Sequence, residues 1–356
     1  MSHQFASQCV HSGEWEDASA VPIFQGVTAG EQYVRGNNPT INAFEHKVKA
    51  LEGGAFSVAL ASGMGAIFTA LFSLLTTGDR LVCHRHVFGV TKRLLGELAS
   101  HVGIDVQFVD LTNPDNLAAA LRVKTRLVYF EPLSNPHLDI LDTRALATLA
   151  HDSGALVVVD NTFLSPYVFR PLTAGADVVI HSATKYLCGH GDACAGIVTT
   201  NQEEICQAIF HMKQLTGAVL SPMNAYLLIR GIKTLPLRMR RHCDNAMQVA
   251  QFLSQHEFIK EVRYPSLPAM VGHEIAARDW DAFGGMIAMK IGVANSKSET
   301  RRKQFLFLNG LKLCKVAWSL GDPSTLVTRY NEFIRISVGL EDPRDILADL
   351  SQALAR

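Results

Sequence analysis

At 356 residues the chain is too long for one small domain and has room for about two of the usual ~100–200 residues. Hydrophobic residues make up 48% and charged residues 19%, and Lys+Arg equals Asp+Glu at 33 each, so the chain reads as a globular protein with no basic field for nucleic acid or anionic membrane. No apolar run reaches the ~18–20 residues of a membrane span, residues 1–7 lack the pattern of a secretory leader, and the seven scattered cysteines favour free thiols, so a cytoplasmic protein is expected.

In chain order, residues 1–38 read as an arm that cannot fold alone: a short apolar run at 21–27, then the strong turn Gly36-Asn-Asn-Pro39. Apolar positions 41, 44, 48 and 51 predict a helix, and residues 63–75 a second, mostly apolar one. Strands are expected at 80–83, 105–109, 127–130, 155–159 and 177–180, with helices at 90–101, 116–122 and 143–153 between the earlier ones. Short β-branched runs without polar alternation suit strands covered on both faces. The alternation therefore predicts a three-layer α/β/α domain with a mostly parallel sheet over residues 39–222, whose ligand site lies beyond the carboxyl ends of the strands. From 223 to 356 the pattern changes to a smaller α+β domain. It has a helical stretch at 224–255 broken at Pro236, strands at 286–290 and 333–338, and a closing helix at 343–354.

The sharpest chemistry lies in Val178-Val-Ile-His-Ser182-Ala-Thr184-Lys185, where an apolar strand runs into hydroxyls and a lysine. An isolated lysine at a strand mouth ordinarily snorkels to solvent. A Schiff-base lysine instead needs a partly desolvated site and, where its cofactor is a pyridine, a carboxylate to keep the ring nitrogen protonated. Asp160, closing the apolar run Ala155-Leu-Val-Val-Val159, supplies such a carboxylate on the preceding strand. Arg335 stands in another apolar strand, where a charge is costly unless paired, by a buried carboxylate or by a ligand. Cys188, His190 and Cys194 match no zinc spacing, so no metal is expected, and His181 is expected to pack beneath Lys185.

Six ordered segments resemble the pyridoxal-phosphate enzymes of cysteine and methionine metabolism over nearly the whole chain. They are Tyr33-Val-Arg35-Gly-Asn-Asn-Pro39, Ala61-Ser-Gly-Met64, Glu131-Pro-Leu-Ser-Asn135-Pro136, Val159-Asp-Asn-Thr162, Ser182-Ala-Thr-Lys185-Tyr186 and Ile334-Arg-Ile-Ser-Val-Gly-Leu-Glu-Asp342. The resemblance implies the aspartate-aminotransferase-like fold and pyridoxal 5'-phosphate held on Lys185 with Asp160 at its ring nitrogen. It assigns Gly63, Met64, Ser182 and Thr184 to the phosphate, and Tyr33 and Arg35 of the arm to the phosphate of a neighbouring subunit, hence a homodimer or homotetramer. Phe88 falls where the ring-stacking residue is expected. Catalytic roles fall to Lys185, Asp160, Phe88 and Tyr33, and the amino-acid substrate to Asn135, Ser319 and Arg335.

The chain departs from that pattern in three places. Phe88 replaces the usual stacking tyrosine, and Val90 stands where methionine γ-lyases carry cysteine. The stretch between Asp322 and Arg335 lacks a longer His-Pro…Thr-His segment that normally borders the substrate pocket. The features at 215–243 resemble the methionine γ-lyases, which implies elimination from methionine, cystathionine or homocysteine-like amino acids. Phe88 and Asn224 lean to γ-replacement instead, as in O-acylhomoserine sulfhydrylases or cystathionine γ-synthase. The shortened stretch alone points to a third reading, a cofactor-binding protein without turnover.

Overall fold

In the computed structural model, residues 3–15, 18–29, 32–292 and 296–355 are described. Fourteen strands follow in chain order. In the arm, β1 (Thr28–Ala29) and β2 (Gln32–Tyr33) form a small hairpin. The first large group is β3 (Phe56–Leu60), β4 (Arg80–His84), β5 (Asp105–Val109), β6 (Leu127–Phe130), β7 (Leu156–Asp160), β8 (Val178–His181) and β9 (Gly196–Thr200). The second is β10 (Ile259–Arg263), β11 (Met286–Ile291), β12 (Lys315–Val316), β13 (Leu326–Tyr330) and β14 (Phe333–Ser337). The larger sheet has the order β3-β9-β8-β7-β6-β4-β5, with β4 to β8 parallel, β9 running against them, and β3 at the edge antiparallel to β9 and so in the direction of the rest. The smaller sheet has the order β10-β11-β14-β13-β12.

Alternation along the parallel strands explains the layers. Leu81, Cys83, Tyr129, Val158 and Ile180 pack on one face with Ile67, Leu71 and Ile209 of helices Gly63–Leu74 and Glu203–Thr216. Val82, Val128, Val157 and Val179, one residue out of step, pack on the other face with Leu117 and Leu146 of helices Pro114–Ala120 and Thr143–Asp152. A fully buried Val or Leu contributes about 1.5–3 kcal/mol, so two apolar faces hold this sheet far more strongly than strand propensity does. A further core joins helices Leu235–Ser254 and Pro343–Leu354 to the smaller sheet through Val249, Leu253, Ile334, Ile336 and Leu350. This is the three-layer α/β/α plus α+β architecture expected from the sequence pattern.

Several expectations need correction. Strands β3 and β9 and helix Glu203–Thr216 were not foreseen, because the sequence pattern followed only the parallel core. The break in the 224–255 helix falls at residues 233–234, and Pro236 sits in the first turn of Leu235–Ser254, where its missing N–H costs nothing. The expected 90–101 helix is α-helical over Gly89–Glu97 and continues as a π-turn at Leu98–Val102, ended by Gly103 at φ 77°. Part of the arm also packs on its own chain. Helix Phe5–His11 buries Cys9 completely, and the Lys47 ammonium donates to the carbonyls of Cys9 (2.9 Å) and Val10 (3.0 Å).

Candidate active site

The carboxyl ends of β6, β7 and β8 open into a pocket lined by Glu131, Asn135, Asp160, Thr162, Ser182 and Lys185. The smaller sheet closes the pocket from the other side through Arg335 of β14 and the preceding segment 318–320.

Parallel pairing puts Asp160 opposite Ile180, so the end of β7 meets the turn that leads from β8 to Lys185. Thr162 fastens the two. Its amide (3.0 Å) and hydroxyl (2.5 Å) donate to Asp160 Oδ1, and the same hydroxyl accepts the Ser182 amide at 2.8 Å. Tyr129 approaches Asp160 Oδ2 at 3.4 Å, and the carboxylate borders the pocket. Burial pushes the Asp160 carboxyl up while the Thr162 hydrogen bonds pull it down.

Helix Gly63–Leu74 begins beside this turn. Ser62 caps it by accepting the Gly65 amide (3.0 Å), which leaves the Gly63 and Met64 amides in the first turn without an intrahelical acceptor. A Cβ on Gly63 would lie 2.5 Å from the Ser182 Cβ, so only glycine lets the helix start abut the β8 turn. This end suits an anion such as a phosphate. Ser182 shares the pocket, but the Thr184 hydroxyl lies in a reciprocal pair with Ala195, donating to its carbonyl (3.2 Å) and accepting its amide (3.0 Å).

Lys185 Nζ donates to Ser319 Oγ at 3.0 Å. Burial lowers its pKa, and the nearby Arg335 charge lowers it further. A neutral amine in a desolvated pocket is the form that attacks an aldehyde. Arg335 is 2% exposed. Its guanidinium donates to Asn135 Oδ1 (3.1 Å) and to the Ser319 carbonyl (2.9 Å), while Nε is buried with no partner. Tyr330 lies 5.0 Å from its Cζ, and among the described residues no carboxylate pairs with it. A buried guanidinium with a donor to spare is a receptor for an incoming carboxylate.

Of the residues singled out from the sequence, Lys185, Asp160, Gly63, Met64, Phe88, Ser182, Asn135 and Arg335 all line this pocket, and Ser319 bonds to two of them. Tyr33 and Arg35 do not join it within one chain. Tyr33 is 43% exposed, with the Arg35 guanidinium 4.6 Å over its ring. His181 is buried and tied to Glu52, and it is not among the residues that line the pocket. Cys188, His190 and Cys194 form no cluster: Cys188 donates to Asp192, His190 bonds to the Cys188 carbonyl, and Cys194 is exposed.

A different trio, His84, His86 and Asp139, brings possible ligand atoms within 4.8 Å of one another. His84 Nδ1, however, accepts the Leu111 amide at 3.1 Å, so its proton sits on Nε2, facing Asp139. The ring is thus a donor to the carboxylate, and the trio anchors the loop. Sequence reasoning passed over Thr162 and Glu131 although both lie in quoted segments. It had no signal for Trp318, which lines the pocket, or for Tyr330, whose ring meets that of Trp318 edge-to-face at 5.1 Å.

A lysine amine, a carboxylate on the adjacent strand and a helix N-terminus at one end of a parallel sheet define an enzyme of pyridoxal-phosphate fold type I. The chain belongs to the Cys/Met metabolism PLP-dependent enzymes, whose family model matches residues 7–355, and its cofactor is pyridoxal 5'-phosphate. It is 44% identical over 349 residues to an L-methionine gamma-lyase of Fusobacterium nucleatum subsp. polymorphum, covering 92% of this chain and 87% of that one. It is 37% identical over 382 residues to a cystathionine beta-lyase of Lactococcus lactis subsp. cremoris, covering 98% of each. A solved cystathionine gamma synthase from Xanthomonas oryzae pv. oryzae, in complex with aminoacrylate and cysteine, superposes with a TM-score of 0.95 at 33% identity, over 100% of this chain and 98% of that one. Among the described residues no helix is long and apolar enough to cross a membrane.

Proposed function

We propose that this enzyme eliminates the γ- (or β-) substituent of a sulfur amino acid of the methionine, cystathionine or homocysteine type. The observation that carries the reading is the Lys185 amine, its pKa lowered by burial, sharing one pocket with Asp160 and with an Arg335 fork that has no carboxylate of its own. Bound pyridoxal phosphate supplies the electron sink for charge developing at the substrate Cα. Asp160 keeps a proton on the ring nitrogen, and Thr162 orients that carboxylate. The Gly63 and Met64 amides and the Ser182 hydroxyl hold the phosphate. Thr184 joins them only by turning its hydroxyl away from Ala195. Phe88, which lines the same pocket, would offer its ring to the cofactor's. Arg335, Asn135 and Ser319 take the substrate carboxylate, and Lys185 Nζ removes the Cα proton and delivers it onward.

We further propose a cytoplasmic homodimer or homotetramer divided into an arm (1–38), a cofactor domain (39–222) and a C-terminal domain (223–356). In it, Tyr33 and Arg35 of one protomer reach the phosphate site of its partner, with Tyr33 positioned to serve in proton transfer there. The exposure of Tyr33 and its place outside the lining of its own pocket support this arrangement.

One observation favours a second reading, γ-replacement: the ring-facing wall carries Phe88, which has no phenol to protonate a thiolate as it leaves. The shortened stretch does not favour a protein without turnover, because it closes as the β13–β14 hairpin and keeps Arg335 in the pocket. The deciding experiment assays methionine, cystathionine, cysteine and O-acylhomoserines with and without added thiol. Keto acid and ammonia without thiol are the expected result. Product that forms only with thiol overturns the lyase reading in favour of the transferase.

A further inference from the structure

Glu131 is a buried carboxylate to which no role has so far been given. It follows directly on β6 and is 5% exposed, and among the described residues no cation pairs with it. Burial, and then the nearby Asp160, push its pKa upward. A carboxyl in such a place is costly unless its oxygens are well used. Both are: Oε1 accepts the Phe88 amide at 2.8 Å, and Oε2 accepts the Asn135 amide at 2.7 Å.

These two amides belong to different segments of the chain, and both residues line the pocket. Phe88 stands immediately before helix Gly89–Glu97 with no side-chain cap of its own, and Asn135 passes the connection on to Arg335 through its side chain. A second carboxylate ties the same two segments farther from the pocket. Asp139 Oδ2 meets His84 at 3.3 Å and His86 at 2.5 Å, while the Asp139 amide donates to Ser134 Oγ at 2.9 Å. The outer tie would hold the loop alone. The inner one acts on the residues that face the ligand.

We propose that Glu131 is a positioning residue of the reaction: its two oxygens set the spacing between Phe88, on the cofactor ring, and the Asn135–Arg335 pair, on the substrate carboxylate. The proposal rests on the pyridoxal-phosphate reading of the pocket. It gives Glu131 no contact with the reacting atoms. Its effect comes through the angle at which ring and substrate meet, where a misplacement of ~1 Å costs on the order of 10²-fold.

Glu131→Gln is the test, because it keeps the shape but puts an NH2 against one of the two backbone donors. The holoenzyme variant is expected to lose on the order of 10²-fold in kcat, with a smaller change in KM. The visible circular dichroism per bound cofactor should fall, while the thermal midpoint of the apo protein stays close to wild type. Normalising to bound cofactor keeps the measurement valid if only part of the variant folds. Wild-type kcat and visible dichroism would overturn the proposal. So would a loss of activity matching the loss of folded protein with unchanged dichroism per cofactor, since that is the signature of a purely structural residue. If wild-type protein gives no visible band with pyridoxal phosphate, the reading of the pocket itself fails, a result distinct from either.

Discussion

Asp160, Thr162, Ser182 and Lys185 form the floor of the pocket at neighbouring strand ends of one sheet, whereas Arg335 of the other sheet, with Trp318 and Ser319 from the segment before β13, forms its rim. In the floor, register between β7 and β8 together with the Thr162 bridge sets the spacing. In the rim, the Arg335 guanidinium reaches the floor through Asn135, 200 residues away in sequence. A floor built by adjacent strands tolerates little change, because one shift in register moves every group. A rim built by packing two sheets together accepts a shorter connection, provided the arginine stays in its strand. Register therefore fixes the groups of the floor, and the packing of two sheets fixes the Arg335 fork of the rim.

The comparison breaks most sharply at Lys185. Lys185→Ala should retain the fold and lose all turnover. Mixed with Arg35→Ala subunits, it should regain activity in hybrid dimers, because one site then carries both defects and the other carries neither. Hybrids isolated and found inactive would show that the arm does not complete its partner's site.

Asp160→Asn comes next. An amide cannot hold the ring-nitrogen proton, and a fall of roughly 10²–10⁴ in kcat is expected. A solvent-exchange measurement of the Cα proton locates the lost step. A variant within about threefold of wild type would remove Asp160 from the floor.

Arg335 links the two regions. Replacing it with leucine removes charge-assisted hydrogen bonds worth about 1.5–3 kcal/mol, so KM should rise roughly 10–100-fold. Because Arg335 is one cause of the lowered Lys185 pKa, the amine should hold its proton to higher pH in the variant. The pH at which apo protein takes up pyridoxal phosphate should therefore move upward. An unmoved uptake profile would separate rim from floor electrostatically.

Phe88→Tyr gives the smallest effect and sharpens the contrast most finely. A phenol over the ring should raise turnover of methionine or cystathionine relative to an O-acylhomoserine, by up to about 10²-fold, since only the thiolate needs a proton to leave. An unchanged ratio would mean that another group already protonates the leaving sulfur.

The parallel strands, the two-domain pattern and the floor residues Asp160, Ser182 and Lys185 were legible in the sequence; Thr162 was not. Strands covered on both faces write themselves as unbroken apolar runs, and the residue that ends each run lies at the pocket by the topology of the sheet. The edge strand β3 and the reversed strand β9 escaped notice because Phe56-Ser-Val-Ala-Leu60 and Gly196-Ile-Val-Thr-Thr200 lack that signature. Strand β13 was hidden too: it turns into β14 through Asn331 at φ 51° without the Asn-Gly pair that marks tight hairpins.

By itself, then, the sequence determined the chemistry: which lysine, which aspartate and which helix start a pyridine cofactor requires, all within contiguous segments whose spacing follows from local geometry. Only the tertiary structure decided that Glu131 bonds two segments of the pocket, that the rings of Trp318 and Tyr330 meet edge-to-face, and that His181 is tied to Glu52. Those contacts join residues far apart in the chain, and their partners are selected by the packing of one sheet and its loops against another, which no local pattern encodes.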